Sequence, residues 1–216
     1  MKVRIARMLA PVSVLGPGRR LALWVQGCHL ACPGCASVDT WASDAGEEVD
    51  IEDLATRMAH VLIRDDLDGL TITGGEPTEQ GEALAHLVAD VRARVAQHRG
   101  DLDLLVFTGR TQAAATLRAS ALVAATDALV AGRYRADLPP TNPLVASANQ
   151  TITWRSSAAE ARYREWFAHL DRPTLEVAAS GEDLFLIGLP RAGDLDRFRR
   201  SMRDRGVLLD SVSWRA

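Results

Sequence analysis

Five short apolar runs punctuate the chain: LALWVQG at 21–27, GLTITGG at 69–75, DLLVFTG at 103–109, DALVAG at 127–132 and TITWR at 151–155. Stretches with helical spacing of apolar positions lie between most of them, around 50–65, 78–98 and 111–122. Brief apolar runs bounded by glycine read as buried strands, and regular alternation of strand and helix reads as a parallel sheet. With about five or six parallel strands, such a sheet curls into a partial (β/α) barrel whose carboxyl edge stays open. The predicted fold class is therefore α/β, with a core over residues 1–156 and candidate chemistry at the carboxyl ends of its strands.

From residue 157 onward the pattern changes. A helix-like EARYREWFAHL leads to two β-like runs, TLEVAAS and DLFLIGLP, joined by a GED turn. A helix, DLDRFRRSMRDRG, and a last β-like run, VLLDSVSW at 207–214, complete a small β-β-α-β lobe over residues 157–216. Leu195, Phe198 and Met202 share one helical face that is expected to pack on the hairpin. Arg197, Arg199, Arg200, Arg203 and Arg205 fall on the remaining, solvated surface. Such a lobe suits a cap over the open edge or a docking element for substrate or partner.

Composition narrows the function classes. The 216 residues suffice for one buried α/β domain with an appendage. A formal charge of −3 and a pI near 6.0 provide no basic field for nucleic acid. No apolar run reaches the eighteen or so residues of a bilayer span and no leader is visible, so a cytoplasmic protein without membrane attachment is expected. Asp65, Asp66 and Asp68 read as a solvated loop, and His60, His86 and His98 as surface or packing residues.

Three cysteines, Cys28, Cys32 and Cys35, are the only ones in the chain, and they fall within LWVQGCHLACPGC as C-x-x-x-C-x-x-C. Three thiolates closing one tight loop can hold three irons of a 4Fe–4S cluster and leave the fourth iron open to a ligand. A zinc site with His29 as fourth ligand fits the spacing poorly. Structural zinc knuckles stand a dozen or more residues apart, and adjacent Cys28 and His29 strain to reach one ion. His29 is expected to be an exposed loop residue. A disulfide framework leaves one cysteine over.

The segments GPGRRLALWVQGCHLACPGC, DTW and TITGGEP together resemble the radical S-adenosylmethionine (SAM) superfamily, and most of all its activating enzymes of anaerobic ribonucleotide reductase. The GPG-R turn, the glycine before the first cysteine, CPGC and the following TW recur in register. LDLLVFTGRT, ATDALVAGRY and NPLVASANQTI are similar to later segments of the same family, so the likeness covers roughly residues 12 to 155.

The resemblance implies that Cys28, Cys32 and Cys35 are both the metal ligands and the catalytic centre, and that SAM chelates the open iron. It places Gly34, Ala36, Gly74, Gly75, Glu76, Pro77 and Thr108 around SAM. Gly34 would let the backbone approach the adenine, and Gly74 and Gly75 would free it to meet the amino group. Glu76 would set a negative charge opposite a cationic one, with Pro77 fixing the turn. Gly109 could share the rim with Thr108. Asn149 and Gln150 match a family pair, or cap a strand. Asp127 matches an acid of the family, but Ala131 and Arg133 depart from its pattern where a second acid and a lysine are expected.

The implied function is reductive cleavage of SAM to a 5′-deoxyadenosyl radical, with hydrogen abstraction from a glycyl-radical partner enzyme. Flavodoxin or ferredoxin would be the reductant. Two alternatives remain at this point: a radical SAM catalyst that modifies a small molecule or peptide in a biosynthetic pathway, favoured by Ala131 and the lobe, and a non-enzymatic iron–sulfur redox protein.

Overall fold

A computed structural model describes residues 1–98, 100–168, 174–181, 183–209 and Val212. Seven strands form one sheet in the order β3-β1-β2-β4-β5-β6-β7. They are β1 (Lys2–Val12), β2 (Arg20–Val25), β3 (Glu47–Asp50), β4 (Gly69–Gly74), β5 (Asp103–Thr108), β6 (Ala128–Ala131) and β7 (Thr151–Trp154). The central four, β2, β4, β5 and β6, run parallel, whereas β3, β1 and β7 pair antiparallel with their neighbours.

The expectation of five or six parallel strands is thus corrected to four. TITWR is indeed a strand, but residues 133–150 contain no helix that could carry the chain back across the sheet. The segment folds as a wide loop that returns Thr151 opposite Ala131, and a direct return of this kind forces antiparallel pairing. β1 and β3 were not expected, because half-polar sequences such as KVRIARM and EEVD lack the long apolar runs of the inner strands.

Helices α1 (Ile51–Arg64), α2 (Gly81–Ala96), α3 (Gln112–Arg118) and α4 (Ser120–Ala125) follow β3, β4 and β5. The segment expected as one helix near 111–122 is broken at Ala119, and α2 is preceded by a 3-10 turn, Pro77–Gln80. Leu54, Met58 and Leu62 of α1 and Leu84, Leu87 and Val91 of α2 pack on Leu21, Leu23, Leu70, Ile72, Leu104 and Val106. Alternate residues of the same strands face the other side, where Leu105, Ala128 and Val130 meet Tyr163 and Trp166 of α5 (Ser157–Ala168). α5 therefore belongs to the packing of the main sheet. His60, His86 and His98 are exposed.

The hairpin β8 (Leu175–Ser180) and β9 (Asp183–Gly188) and the helix α6 (Asp194–Asp204) follow. Of the expected last strand, residues 207–209 and Val212 form no strand, and the remainder lies outside the described residues. Glu182 of the GED turn also lies outside them. The hairpin rests on the sheet through Ile187, which is buried with Val12, Val14, Leu15 and Trp24, and through Glu176, which accepts hydrogen bonds from Ser13 N and Oγ.

At the amino ends of the parallel strands, Arg20 is completely buried and ion-paired with buried Asp103 at 2.8 Å. Its guanidinium also donates to Thr71 Oγ1, Pro17 O and Leu70 O, and Gly69 supplies the space it occupies. Tyr163 donates to Asp103 at 2.7 Å, and Arg162 reaches the same carboxylate at 3.1 Å. The acidic run is only partly a solvated loop, because Asp68 accepts from Arg19 N and its own N–H donates to Arg19 O, which latches the GPG turn to β4. Asp103→Ala leaves the Arg20 charge buried without its partner, so a loss of about 3–5 kcal/mol is expected, measured by chemical denaturation.

Candidate active site

The segment 26–46 leaves β2 and folds back on itself before β3. Gln26, buried at its root, donates through Nε2 to Asp39 O and Ala42 O, while Gly27 N and Cys28 N donate to Thr40 O and Trp41 O. The TW pair of the sequence is thus the return wall of the cysteine loop. Gly34 adopts φ +77° in the turn that bonds Cys35 N to Cys32 O at 3.1 Å. Cys32 is buried and Cys28 and Cys35 are half-buried. Burial pushes the Cys28 and Cys35 thiols up, a cost that a bound metal would offset by favouring thiolate.

The carboxyl ends of β4 and β5 close on the root of this loop. Gly75 N donates to Val25 O and Glu76 N to Gly27 O, each at 2.8 Å. A Cβ on Gly74 would lie 2.7 Å from Val25 O, and one on Gly75 would lie 2.3 Å from Gly27 O. The glycines are thus needed for backbone contact with the cysteine loop, and the Gly75 N–H is engaged there. Glu76 is fully buried, and its Oε1 accepts from Thr78 N, Thr78 Oγ1 and Thr108 Oγ1 while Oε2 accepts from Gly109 N. Its carboxylate joins the two strand ends. Gly109 leaves room for Leu30 of the cysteine loop, since an added Cβ would meet Leu30 Cδ1 at 2.4 Å.

A cavity of about 970 Å³ opens beside these groups. Cys28, Cys32, Cys35, Gly34, Ala36, Gly74, Gly75, Glu76, Thr108 and Gly109 all line it. Pro77 does not; it is buried in the 3-10 turn that starts the run into α2. Trp24, Trp41, Phe107 and Tyr134 also line the cavity; Trp41 belongs to the TW pair, whereas the other three are not singled out by the sequence, where lone aromatics resemble ordinary core. Burial and the neighbouring Cys35 push the Tyr134 phenol up. The opposite wall comes from β9 and α6, which places the C-terminal lobe over the cysteines.

Other candidates resolve into supporting roles. Asp127 pairs with Arg92 of α2 at 2.7 Å and accepts from Leu104 N, far from the strands' carboxyl ends. Ala131 is buried in the cluster on the helical side of the sheet, so an acid at this position is not a cavity group in this chain. Arg133 donates to Leu30 O and so joins the 133–150 loop to the cysteine loop. Asn149 donates to Arg133 O, and Gln150 both lines the cavity and spends its amide on Gly132 O, Ala146 N and Ser147 N. His29 is exposed and bonded to Glu79 at 2.7 Å, which in turn pairs with Arg110.

Residues 14–153 match the model of a 4Fe-4S single cluster domain. The anaerobic ribonucleoside-triphosphate reductase-activating protein of Pasteurella multocida is 35% identical over 160 residues, covering 70% of this chain and 90% of that protein. This chain belongs to the radical SAM activase family. The activating protein of the same name from Vibrio cholerae is 30% identical over 71% of this chain and 94% of its own length. The pyruvate formate-lyase-activating enzyme of Staphylococcus aureus is 35% identical over a shorter stretch, 37% of this chain and 33% of that enzyme. Among solved structures, QueE from Escherichia coli overlaps 51% of this chain at a TM-score of 0.38 and 19% identity.

The donor set of this chain fits a 4Fe–4S cluster: three cysteine sulfurs, soft ligands when ionised, lie along one cavity. Among the described residues, no helix is long and apolar enough to cross a membrane. Because a Cβ at Gly75 would press on Gly27 O, Gly75→Ala is expected to cost about 1–3 kcal/mol through overpacking. It should also lower the iron bound per chain after anaerobic reconstitution, whereas Gly100→Ala, with open space around it, should change neither.

Proposed function

We propose that this chain activates a glycyl-radical enzyme, with Cys28, Cys32 and Cys35 holding three irons of the cluster and SAM bound at the fourth. Held there, the cluster would supply one-electron reduction of SAM, whose products would be methionine and, once a hydrogen atom has been taken from a glycine of the partner, 5′-deoxyadenosine. The observation that carries this reading is the meeting of the three cysteines with the ends of β4 and β5 on one cavity.

The residues have distinct tasks in this proposal. Gly34 and Ala36 offer a wall without bulk beside Cys35, suited to the flat face of adenine. Gly74 and Gly75 bring bare backbone up to SAM, whose amino group would donate to backbone carbonyl oxygens, while the Gly75 N–H is spent on Val25 O. Glu76 keeps these strand ends rigid through its bonds to Thr108 and Gly109 and adds negative charge beside a cationic ligand. Trp24, Phe107 and Tyr134 limit water around the radical. A flavodoxin or ferredoxin is the proposed reductant.

A second reading, modification of a small molecule or peptide, draws support from the lobe that covers the cavity. The two are separated by the product formed from the hydrogen donor. Anaerobically reconstituted protein, reduced with dithionite in the presence of SAM, is expected to form 5′-deoxyadenosine, and Cys28→Ala, Cys32→Ala and Cys35→Ala are each expected to abolish it. Retained cleavage in any of the three removes the cluster assignment. A glycyl-radical doublet in the electron paramagnetic resonance spectrum of an added partner enzyme supports activation; turnover of a small molecule without it supports the second reading.

A further inference from the structure

Backbone N–H groups surround the sulfurs of the cysteine loop. Ala31 adopts φ +44°, a conformation that residues with a side chain seldom take, in the turn where the Leu30 and Ala31 N–H groups donate to the Cys28 sulfur. Cys35 Sγ accepts from Ser37 N at 3.4 Å. Nearly any sequence could supply donors of this kind, since they belong to the main chain. Cys35 has one more donor, and it is a side chain: Trp41 also bonds to this sulfur. An indole carries a single N–H and no acceptor, so Nε1 is the atom that donates.

Trp41 is fixed independently of that bond. Cys28 N donates to Trp41 O at 3.0 Å, Trp41 N donates to Val38 O at 3.1 Å, and the buried Gln26 amide holds the carbonyls of Asp39 and Ala42 on either side. The half-buried indole and Cys35 line the same cavity. Closing the loop therefore needs only the backbone of residue 41, which leaves the ring N–H to serve the sulfur. A hydrogen bond to sulfur strengthens as the sulfur becomes more negative. When a reductant passes one electron to an iron–sulfur cluster, no bond forms or breaks and the added charge spreads to the ligand sulfurs, so a donor there favours the reduced state. Glu76 and Glu79, whose charges act on Cys28, have the opposite effect on an incoming electron.

We propose that Trp41 is a positioning residue that acts through Cys35: its indole N–H donates to a ligand sulfur and raises the reduction potential of the cluster, partly offsetting the carboxylates near Cys28. The residue thereby brings the cluster closer to the reach of a protein reductant. This rests on the reading of Cys28, Cys32 and Cys35 as cluster ligands, and adds to it a side chain that ligates nothing itself.

The test is a redox titration of the anaerobically reconstituted full chain without SAM, followed by the electron paramagnetic resonance signal of the reduced cluster. Trp41→Phe keeps a ring and lacks the N–H. It is expected to lower the ratio of reduced to oxidised cluster at a fixed potential about three- to tenfold, a downward shift of roughly 30–60 mV at about 59 mV per tenfold for one electron. Iron and sulfide content and circular dichroism check that the variant keeps its cluster and its fold. A second readout needs no variant: with nitrogen-15 in the tryptophan indole, pulsed electron paramagnetic resonance of the unaltered, reduced protein is expected to show a nitrogen-15 coupling. An unshifted or raised potential in Trp41→Phe, or no such coupling in the unaltered protein, overturns the proposal. If the unaltered protein gives no reduced-cluster signal at all, the cluster assignment itself fails and the role of Trp41 falls with it.

Discussion

The carboxylate of Glu76 is the point on which the arrangement of the site depends. A buried charge is tolerated only when its lone pairs are satisfied, and here Thr78, Thr108 and Gly109 satisfy them. Those donors belong to the end of β5 and to the turn between β4 and α2, while Glu76 itself lies just beyond the end of β4. Their convergence on one carboxylate fixes two adjacent strand ends relative to each other. The backbone N–H groups of Gly75 and Glu76 then donate to Val25 O and Gly27 O, so the cysteine loop begins from a position that the sheet itself defines.

A second buried carboxylate plays the corresponding role at the opposite end of the strands. Asp103 neutralises Arg20 and receives Tyr163, which binds α5 to the sheet face that carries the cavity. The cavity therefore lies between two rigid polar centres, one beneath it and one at its rim. Its lining takes Trp24 from β2, Thr73 from β4 and Phe107 from β5, and further aromatic side chains, Trp41 and Tyr134, from the loops. A site of this kind has little freedom to deform, which suits chemistry in which the reactive atoms must be held apart from solvent.

The lobe changes what such a cavity can admit. In its absence the carboxyl edge of the sheet would be open; with it, β9 and α6 form a wall facing the cysteines. The Ser13–Glu176 bonds and the burial of Ile187 anchor that wall to the β1–β2 hairpin, on the side of the sheet remote from α1 and α2. The cysteine loop and the lobe are thus different parts of the chain that share one cavity.

Much of this was legible in the sequence because the information is local. Runs such as LALWV and GLTIT bury both faces, so they reveal strands without reference to neighbours, and C-x-x-x-C-x-x-C places three thiols in one loop at any fold. The antiparallel strands were less visible, since β1 and β3 have one polar face and β7 takes its direction from a loop that returns directly. Other facts depend on residues distant in the chain. Nothing local to Arg20 announces Asp103, nothing near Gly109 announces Leu30, and Asp127 gains its structural role only from Arg92. The sequence by itself determined the strand-and-helix alternation and the three-thiol loop. Only the tertiary structure decided that Gly75 serves backbone contact, that Glu76 is an internal hub, and that the lobe faces the cysteines, because each of these is a contact between segments whose separation along the chain carries no record of their approach in space.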